Sequence, residues 1–371
     1  MSTTQAIDLE DTDGLLEADR QGLLRAASSS GAQVRAIGAA ADEGALDTLR
    51  TDDRARSVIW VAGRGTAETA GALLVATLGG AASQPITVVG EAPPWVGPLD
   101  VLIVAGDDPG DPALVSAAAT GVRRGARVVV AAPYEGPLRD STAGRAAVLE
   151  PRVRVPAEFG LCRYLAVGLA VLQAVDPRPG VELGALADAL DAEALRNSAG
   201  RELFTNPAKH IAERLAGRRA ALAGDCAATL ALARHGSSVL LRLAHEVVAA
   251  TGLADVVAAL RAAADGPDGS GGAASSVEDL FHDEEIDGPR PDRLRVLALT
   301  LRDEQTVVAA RTAGLENVYL LAAEDVPDGP GGSAGSTVAP ALGGAISAEQ
   351  QLAVLAVRLE MAAVYMRLVR G

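Results

Sequence analysis

Ser57-Val-Ile-Trp60-Val-Ala62-Gly63-Arg64-Gly65-Thr66 is the stretch whose reading decides the fold. An unbroken apolar run ends in a glycine-punctuated turn and leads into an Ala/Leu stretch from about Ala67 to Leu78. A run of this kind fits a strand buried on both faces, and the Ala/Leu stretch after it has helical length. The pattern recurs downstream. Pro85-Ile-Thr-Val-Val89 and Asp100-Val-Leu-Ile-Val-Ala105 read as strands, Gly106-Asp107-Asp108-Pro109-Gly110-Asp111-Pro112 as a loop, Ala113 to Arg124 as a helix, and Ala126-Arg-Val-Val-Val-Ala-Ala132 as a further strand. Alternating strands and helices predict an α/β protein with a parallel sheet covered on both faces. Ligands of such sheets sit outside the carboxyl ends of the strands, here near Gly63 and Gly106.

Working outward, residues 13–50 carry helix-like spacing through Leu15, Leu16, Leu23 and Leu24. The longest apolar run, Tyr164 to Val175, is too short to span a bilayer and reads as a buried helix. Val181 to Gly200 reads as a charged, partly helical connector. Asn206-Pro207 is a good helix start. From there the chain predicts a helix to Gly217, a strand over Ala220–Ala223, a helix before Ser237 and another over Arg242–Thr251. Gly266 to Ser276 is Gly/Ser-rich and reads as a flexible insertion. A strand Leu294–Leu301, a helix to Ala313 and a strand Asn317–Ala322 come next, then a Gly/Pro-rich loop Pro327–Gly344 and a long helix Ala348–Arg370. Two α/β halves of similar pattern suggest an old duplication.

The 371 residues suffice for two domains with sizeable cores. The chain is 49% hydrophobic but only 2% aromatic, so its core must be Ala, Val and Leu packed through small side chains. Lys209 is the only lysine among 33 basic residues, which reads as base bias. A net charge of −15 gives no general attraction for nucleic acid or anionic membranes. A phosphorylated ligand would therefore need a local grip. Cys162 and Cys226 are too few for a disulfide framework, and residues 1–20 are polar and acidic with no signal-peptide pattern. A cytoplasmic location is expected.

Two segments carry candidate chemistry. Arg242-Leu-Ala-His245-Glu246-Val-Val-Ala249 reads as a helix bearing a carboxylate among apolar residues. Glu278-Asp-Leu-Phe-His282-Asp-Glu-Glu-Ile286 sets a lone histidine in an acidic loop. A carboxylate and an imidazole in one cleft can shuttle protons to and from carbon and oxygen. On the residues alone, the favoured reading of Glu246 is a solvated helix residue or one salt-bridged to Arg242 at i−4, and that of His282 is an exposed loop residue. His245 lies about 100° round a helix from Glu246 and is not expected to be its partner. His210 reads as a helix-surface residue.

In this order the segments resemble the family of bifunctional phosphoglucose/phosphomannose isomerases, built from two sugar isomerase (SIS) domains. Gly63-Arg-Gly-Thr-Ala-Glu-Thr-Ala-Gly71 stands where the family has its Gly-rich loop. Asp100 to Ala132 matches the family's strand, ligand loop, helix and strand. Asn206-Pro-Ala-Lys209-His-Ile-Ala212 is similar to its Asn-x-Ala-Lys opening of the second domain, and Ala363-Val-Tyr365-Met366 to its Ser-Val-Tyr-Leu. Glu246 falls on the family's catalytic glutamate. Glu278 to Glu284 is similar to Pro-Glu-Leu-Asn-His-Asn-Glu, which puts His282 on the catalytic histidine. The whole is most similar to the divergent TobH-like branch of actinobacteria. The resemblance implies two SIS-type domains, each a mostly parallel sheet flanked by helices. Their expected bounds are 1–155 with the N-terminal helices, a helical connector over 156–205, and 206–371. It implies aldose–ketose interconversion of glucose 6-phosphate or mannose 6-phosphate with fructose 6-phosphate through an enediol. Glu246 would move the proton between carbons and His282 would open the ring. The implied substrate-binding set is Gly63, Arg64, Gly65, Thr66, Asp107 and Arg163. The implied partner is a small-molecule sugar phosphate, with no cofactor, nucleic acid or membrane, and a homodimer is expected.

The chain departs from the family at the phosphate grip. Where the family reads Ser-Tyr-Ser-Gly-Asn-Thr, this chain has Ala105-Gly106-Asp107-Asp108-Pro109-Gly110, with every hydroxyl gone and two carboxylates in their place. Like charges in one pocket are costly unless a cation intervenes. Ala67 aligns with a family serine, leaving Thr66 and Thr69 as hydroxyl donors and Arg64 as charge. The family's C-terminal lysine has no counterpart before Gly371. A catalytically degenerate SIS protein with a binding or regulatory role is therefore the alternative expectation. The acidic clusters Asp107/Asp108/Asp111 and His282/Asp283/Glu284/Glu285 could hold a divalent cation through oxygen ligands, but their spacing matches no cation-binding motif and they read as solvated loops. Gly63-x-Gly65 with Glu91 after the next strand invites a dinucleotide reading, but Glu68 stands where the third glycine belongs and would repel a pyrophosphate.

Overall fold

The strand that decides the fold is buried along its whole length. β1 (Ser57–Val61) lies between β2 (Ile86–Val89) and β3 (Asp100–Ala105), all parallel, with Trp60 in register with Val88 on one side and Ile103 on the other. β4 (Arg127–Ala131) and the short β5 (Ala147–Val148) extend the sheet in the order β2-β1-β3-β4-β5. Central strands of such a sheet lose solvent on both faces, so β1 and β3 are apolar runs and not alternations. The computed structural model describes residues 7–51, 53–177, 182–264, 293–324 and 346–370. The predicted insertion 266–276, the loop 327–344 and the segment 278–286 with His282 lie outside the described residues.

Three helices precede the first sheet: α1 (Thr12–Ala18), α2 (Leu23–Ala27) and α3 (Ser30–Asp42). α4 (Gly65–Leu78), α5 (Pro112–Arg123) and α6 (Gly136–Thr142) alternate with its strands. α7 (Leu161–Val175) is the long apolar run and is buried, as its composition requires. α8 (Leu183–Arg196) and α9 (Pro207–Leu215) lead to the second sheet, with Asn206 capping α9 through the Lys209 N–H at 3.0 Å. That sheet holds β6 (Ala220–Gly224), β7 (Ala249–Gly252), β8 (Arg295–Leu299) and β9 (Val318–Leu321), all parallel, in the order β7-β6-β8-β9. In both halves the second strand pairs outside the first and the third pairs on its other side. The two sheets thus share one winding.

One apolar core runs through both halves. Trp60 and Val101 of the first sheet belong to the same buried cluster as Leu222 and Leu297 of the second. Helices α3, α4, α7, α8 and α9 pack between the sheets with α10 (Ala227–Ala244) and the last helix, α13 (Ala348–Arg370). Separate clusters cover the outer faces, under α5 and α6 on one side and under α11 (Leu253–Ala264) and α12 (Gln305–Thr312) on the other. α13 is buried nearly all round, so the charges along it, Glu349, Arg358 and Glu360, are internal; Arg367 and Arg370 of its last turn are not. Fully buried Arg358 donates to Glu193 of α8 at 2.6 Å and to the Ala322 carbonyl at 2.7 Å. The stretch read as a connector thus packs one helix face into the core. No helix among the described residues is long and apolar enough to cross a membrane.

One predicted element is wrong. The expected helix over Arg242–Thr251 does not exist: α10 continues through Arg242 to Ala244, and Ala249–Gly252 is a strand. His245 turns the chain with φ of 53°, and the N–H groups of His245 and Glu246 both reach back to the Leu240 carbonyl, the latter at 3.2 Å.

Candidate functional site

The first sheet reverses its strand order between β1 and β3, and crevices at such switch points receive ligands. Two loops meet there. The first, 62–64, ends at Gly65, whose φ of +69° an L side chain rarely adopts, and opens α4. No side chain caps α4, so the N–H groups of its first turn carry the partial positive charge of a helix start. Trp60 ties strand to helix by donating its indole N–H to the Ala67 carbonyl at 2.9 Å. Gly71 is needed beneath that ring, because a Cβ there would lie 2.6 Å from Trp60 Cδ1.

The second loop, 106–111, is acidic but internally organised. Asp107 Oδ1 accepts from Arg163 Nη2 at 2.7 Å and from the Tyr164 hydroxyl at 2.8 Å. Both donors stand at the start of α7, and the Arg163 guanidinium lies 4.4 Å from the Tyr164 ring centroid. Burial pushes the Tyr164 phenol well above its ordinary pKa, so it stays a donor. Asp108 accepts from the Gly110 N–H at 2.8 Å. Asp111 caps α5 through the Ala113 N–H at 2.9 Å and reaches Arg64 at 3.3 Å across the crevice. Arg64, Asp111, Asp107 and Arg163 therefore come together, as do Gly63 and Gly65 on the facing loop. The expected hydroxyl donors do not serve the crevice. Thr66 is buried and donates to the Ala157 carbonyl at 3.1 Å, and Thr69 donates to the Gly65 carbonyl at 3.2 Å.

The end of α10 is tied to this edge of the first sheet. Glu158, next to the carbonyl that receives Thr66, pairs with Arg242 at 2.5 Å. Glu246 lies four residues later, beyond the helix end. Its expected partner Arg242 is thus taken by Glu158, and Glu246 pairs instead with Arg370 near the end of α13. The carboxylate is 13% exposed and the arginine 43%. His282, the expected partner in chemistry, lies outside the described residues. His210 is exposed and accepts from Arg214 Nε at 3.1 Å, in line with its surface reading. Among the described residues, no group of three or more His, Cys, Asp or Glu is placed to hold a metal ion.

The sequence carried no sign of a further buried pair. His235 of α10 meets Glu360 of α13 at 2.9 Å, and Glu360 Oε2 has no partner. Burial raises the Glu360 carboxyl above the ordinary range, and the hydrogen bond and charge of His235 oppose that rise. Cys162 packs nearby, its thiol also pushed up by burial.

Solved structures share this fold. Tagatose-6-phosphate ketose/aldose isomerase from Escherichia coli is 15% identical, with 96% of this chain and 93% of that one covered at a TM-score of 0.57. The C-terminal domain of glucosamine-fructose-6-phosphate aminotransferase from Francisella tularensis is 11% identical, with 96% of each chain covered at 0.57. A hypothetical protein from Thermus thermophilus reaches 0.61 at 11% identity, with 96% and 88% covered. The chain has the fold of two SIS-type domains. No family model and no curated protein matches its sequence. In this SIS fold the crevice between β1 and β3 is the candidate site, and its second loop is carboxylate-rich.

Proposed function

We propose that this chain is a sugar-phosphate isomerase-type protein of carbohydrate metabolism, an aldose–ketose isomerase that interconverts glucose 6-phosphate or mannose 6-phosphate with fructose 6-phosphate. The observation that supports it is the Arg242–Glu158 tie, which anchors the end of α10 beside the turn that receives Thr66 of the β1 loop; Glu246 follows Arg242 by four residues. In the reaction Glu246 takes the proton from the carbon beside the carbonyl and returns it to the neighbouring carbon through a cis-enediol. Arg370 holds that carboxylate in place. His282 moves the proton at the ring oxygen. The phosphate is met by Arg64 and the uncapped N–H groups that open α4, with Glu68 of the same turn setting a like charge against it. The resemblance adds a cytoplasmic homodimer that needs no cofactor.

A second reading, a catalytically degenerate SIS protein that binds a sugar ligand and regulates, draws on a specific observation. The expected hydroxyl grip is gone: Thr66 is turned inward, and Asp107 is engaged by Arg163 and Tyr164. Losing remote binding energy lowers kcat as well as affinity. A coupled assay of both hexose 6-phosphates, run on the full chain and on Glu246→Gln, separates the two. Turnover that Glu246→Gln abolishes, with ligand binding retained, supports the isomerase. Full activity in Glu246→Gln removes Glu246 from the mechanism, and no turnover from the pure folded chain leaves the second reading.

A further inference from the structure

Among the described residues of the crevice, Arg163 is the group built to receive an anion, and the protein has already given it one. Its side chain is 9% exposed and its Nε is buried with no partner, while Nη2 is held by Asp107 at 2.7 Å. A buried guanidinium requires a carboxylate or phosphate beside it. Asp107 fills that need, and Tyr164 fastens the same oxygen at 2.8 Å. Both bonds fall on Oδ1, which leaves Oδ2 of the 40% exposed carboxylate free to accept. Asp108 and Asp111 add negative charge to the loop, and Asp111 engages Arg64. A dianion entering here meets carboxylates and a cation already neutralised.

We infer that Asp107 is the specificity-determining residue of the β3 loop: it takes Arg163 in place of a ligand anion, so this seat receives an uncharged, hydroxyl-bearing part of a sugar and turns away a phosphate. A sugar hydroxyl can donate, and the seat offers it an acceptor in the exposed Asp107 Oδ2. The ligand then lies with its hydroxyl end against Asp107 and any phosphate away from it, beside Arg64. The inference rests on the crevice being the ligand site, as proposed above, and not on turnover.

The test titrates the full chain with inorganic phosphate at low ionic strength, followed by phosphorus NMR. Asp107→Ser and Asp107→Asn are expected to bind phosphate at least about tenfold tighter than the unaltered chain, the change that removal of one close like charge can produce. Adding Arg163→Gln to Asp107→Ser is expected to cancel the gain. Asp107→Asn keeps the size of the side chain and its acceptor for Tyr164, so it stands if Asp107→Ser does not fold. Folded variants with unchanged phosphate affinity, or a gain that survives Arg163→Gln, would overturn the inference. Absence of isomerase activity would sink the enzymatic reading and leave this result intact.

Discussion

At the scale of single residues, the His235–Glu360 pair carries the clearest dependence on pH. Glu360 is fully buried, and its carboxyl binds a proton more readily in the folded chain than in the unfolded one. Its ionised form therefore weighs against folding increasingly as pH rises above the unfolded carboxylate value of about 4.3. His235 offsets that cost by hydrogen bonding and charge. His235→Leu removes the offset. Its destabilisation should be small near pH 3, where the carboxyl is almost wholly protonated in either state, and grow to about 3–5 kcal/mol near neutrality, the cost of an unpaired buried charge. Urea midpoints of both proteins at the two pH values check this, and a loss independent of pH would refute it. Neither residue carried a signal in the sequence, because 125 positions separate them and only the packing of α10 on α13 brings them together. Arg358 and Glu193 were hidden for the same reason: charged residues on helices read as solvated faces until a second helix covers them.

Among the elements, β1 to β4 were legible within a residue or two, since β1, β3 and β4 are buried apolar runs; the two-residue β5 was not expected. The failure over Arg242–Thr251 has an identifiable cause. Leu240, Leu243, Ala244, Val247 and Val248 keep helical spacing past the point where the helix stops. The stop itself is made by His245 in a left-handed conformation, with no glycine to announce it. Beyond it the chain runs through Val247 and Val248 into the strand Ala249–Gly252, which pairs with β6 and holds the β-branched Thr251. α10 also depends on a close approach at its other end. A Cβ at Gly224, the last residue of β6, would lie 2.2 Å from the Leu230 backbone nitrogen, which cannot rotate away. Gly224→Ala should cost about 1–3 kcal/mol or more, because the start of the helix must shift off the strand. A urea midpoint lowered with unchanged slope is the expected result, and an unchanged midpoint would mean that the contact is looser than its geometry.

For the whole molecule, the crevice itself was legible in outline and its wiring was not. Gly63 and Gly106 announce two loops at the carboxyl edge, but the partners of those loops come from elsewhere: Arg163 from α7, Glu158 from the turn before it, Arg242 from the far end of α10. These contacts exist because the helices between the sheets form one layer. The same layer predicts how the chain unfolds. Leu222 of the second sheet and Trp60 of the first belong to one continuous cluster, so neither half can lose its inner helices without exposing the other. The two tryptophans, Trp60 and Trp95, both lie in the first half, so their fluorescence reports on the first sheet alone, while far-ultraviolet circular dichroism reports on both. Leu222→Ala, at a fully buried position of β6, should destabilise by about 2–5 kcal/mol. With a shared core, the fluorescence and dichroism transitions of that variant should move together by the same amount. A dichroism transition that splits, with the tryptophan signal left where it was, would mean that the halves unfold separately and that the helical layer is a seam between two cores.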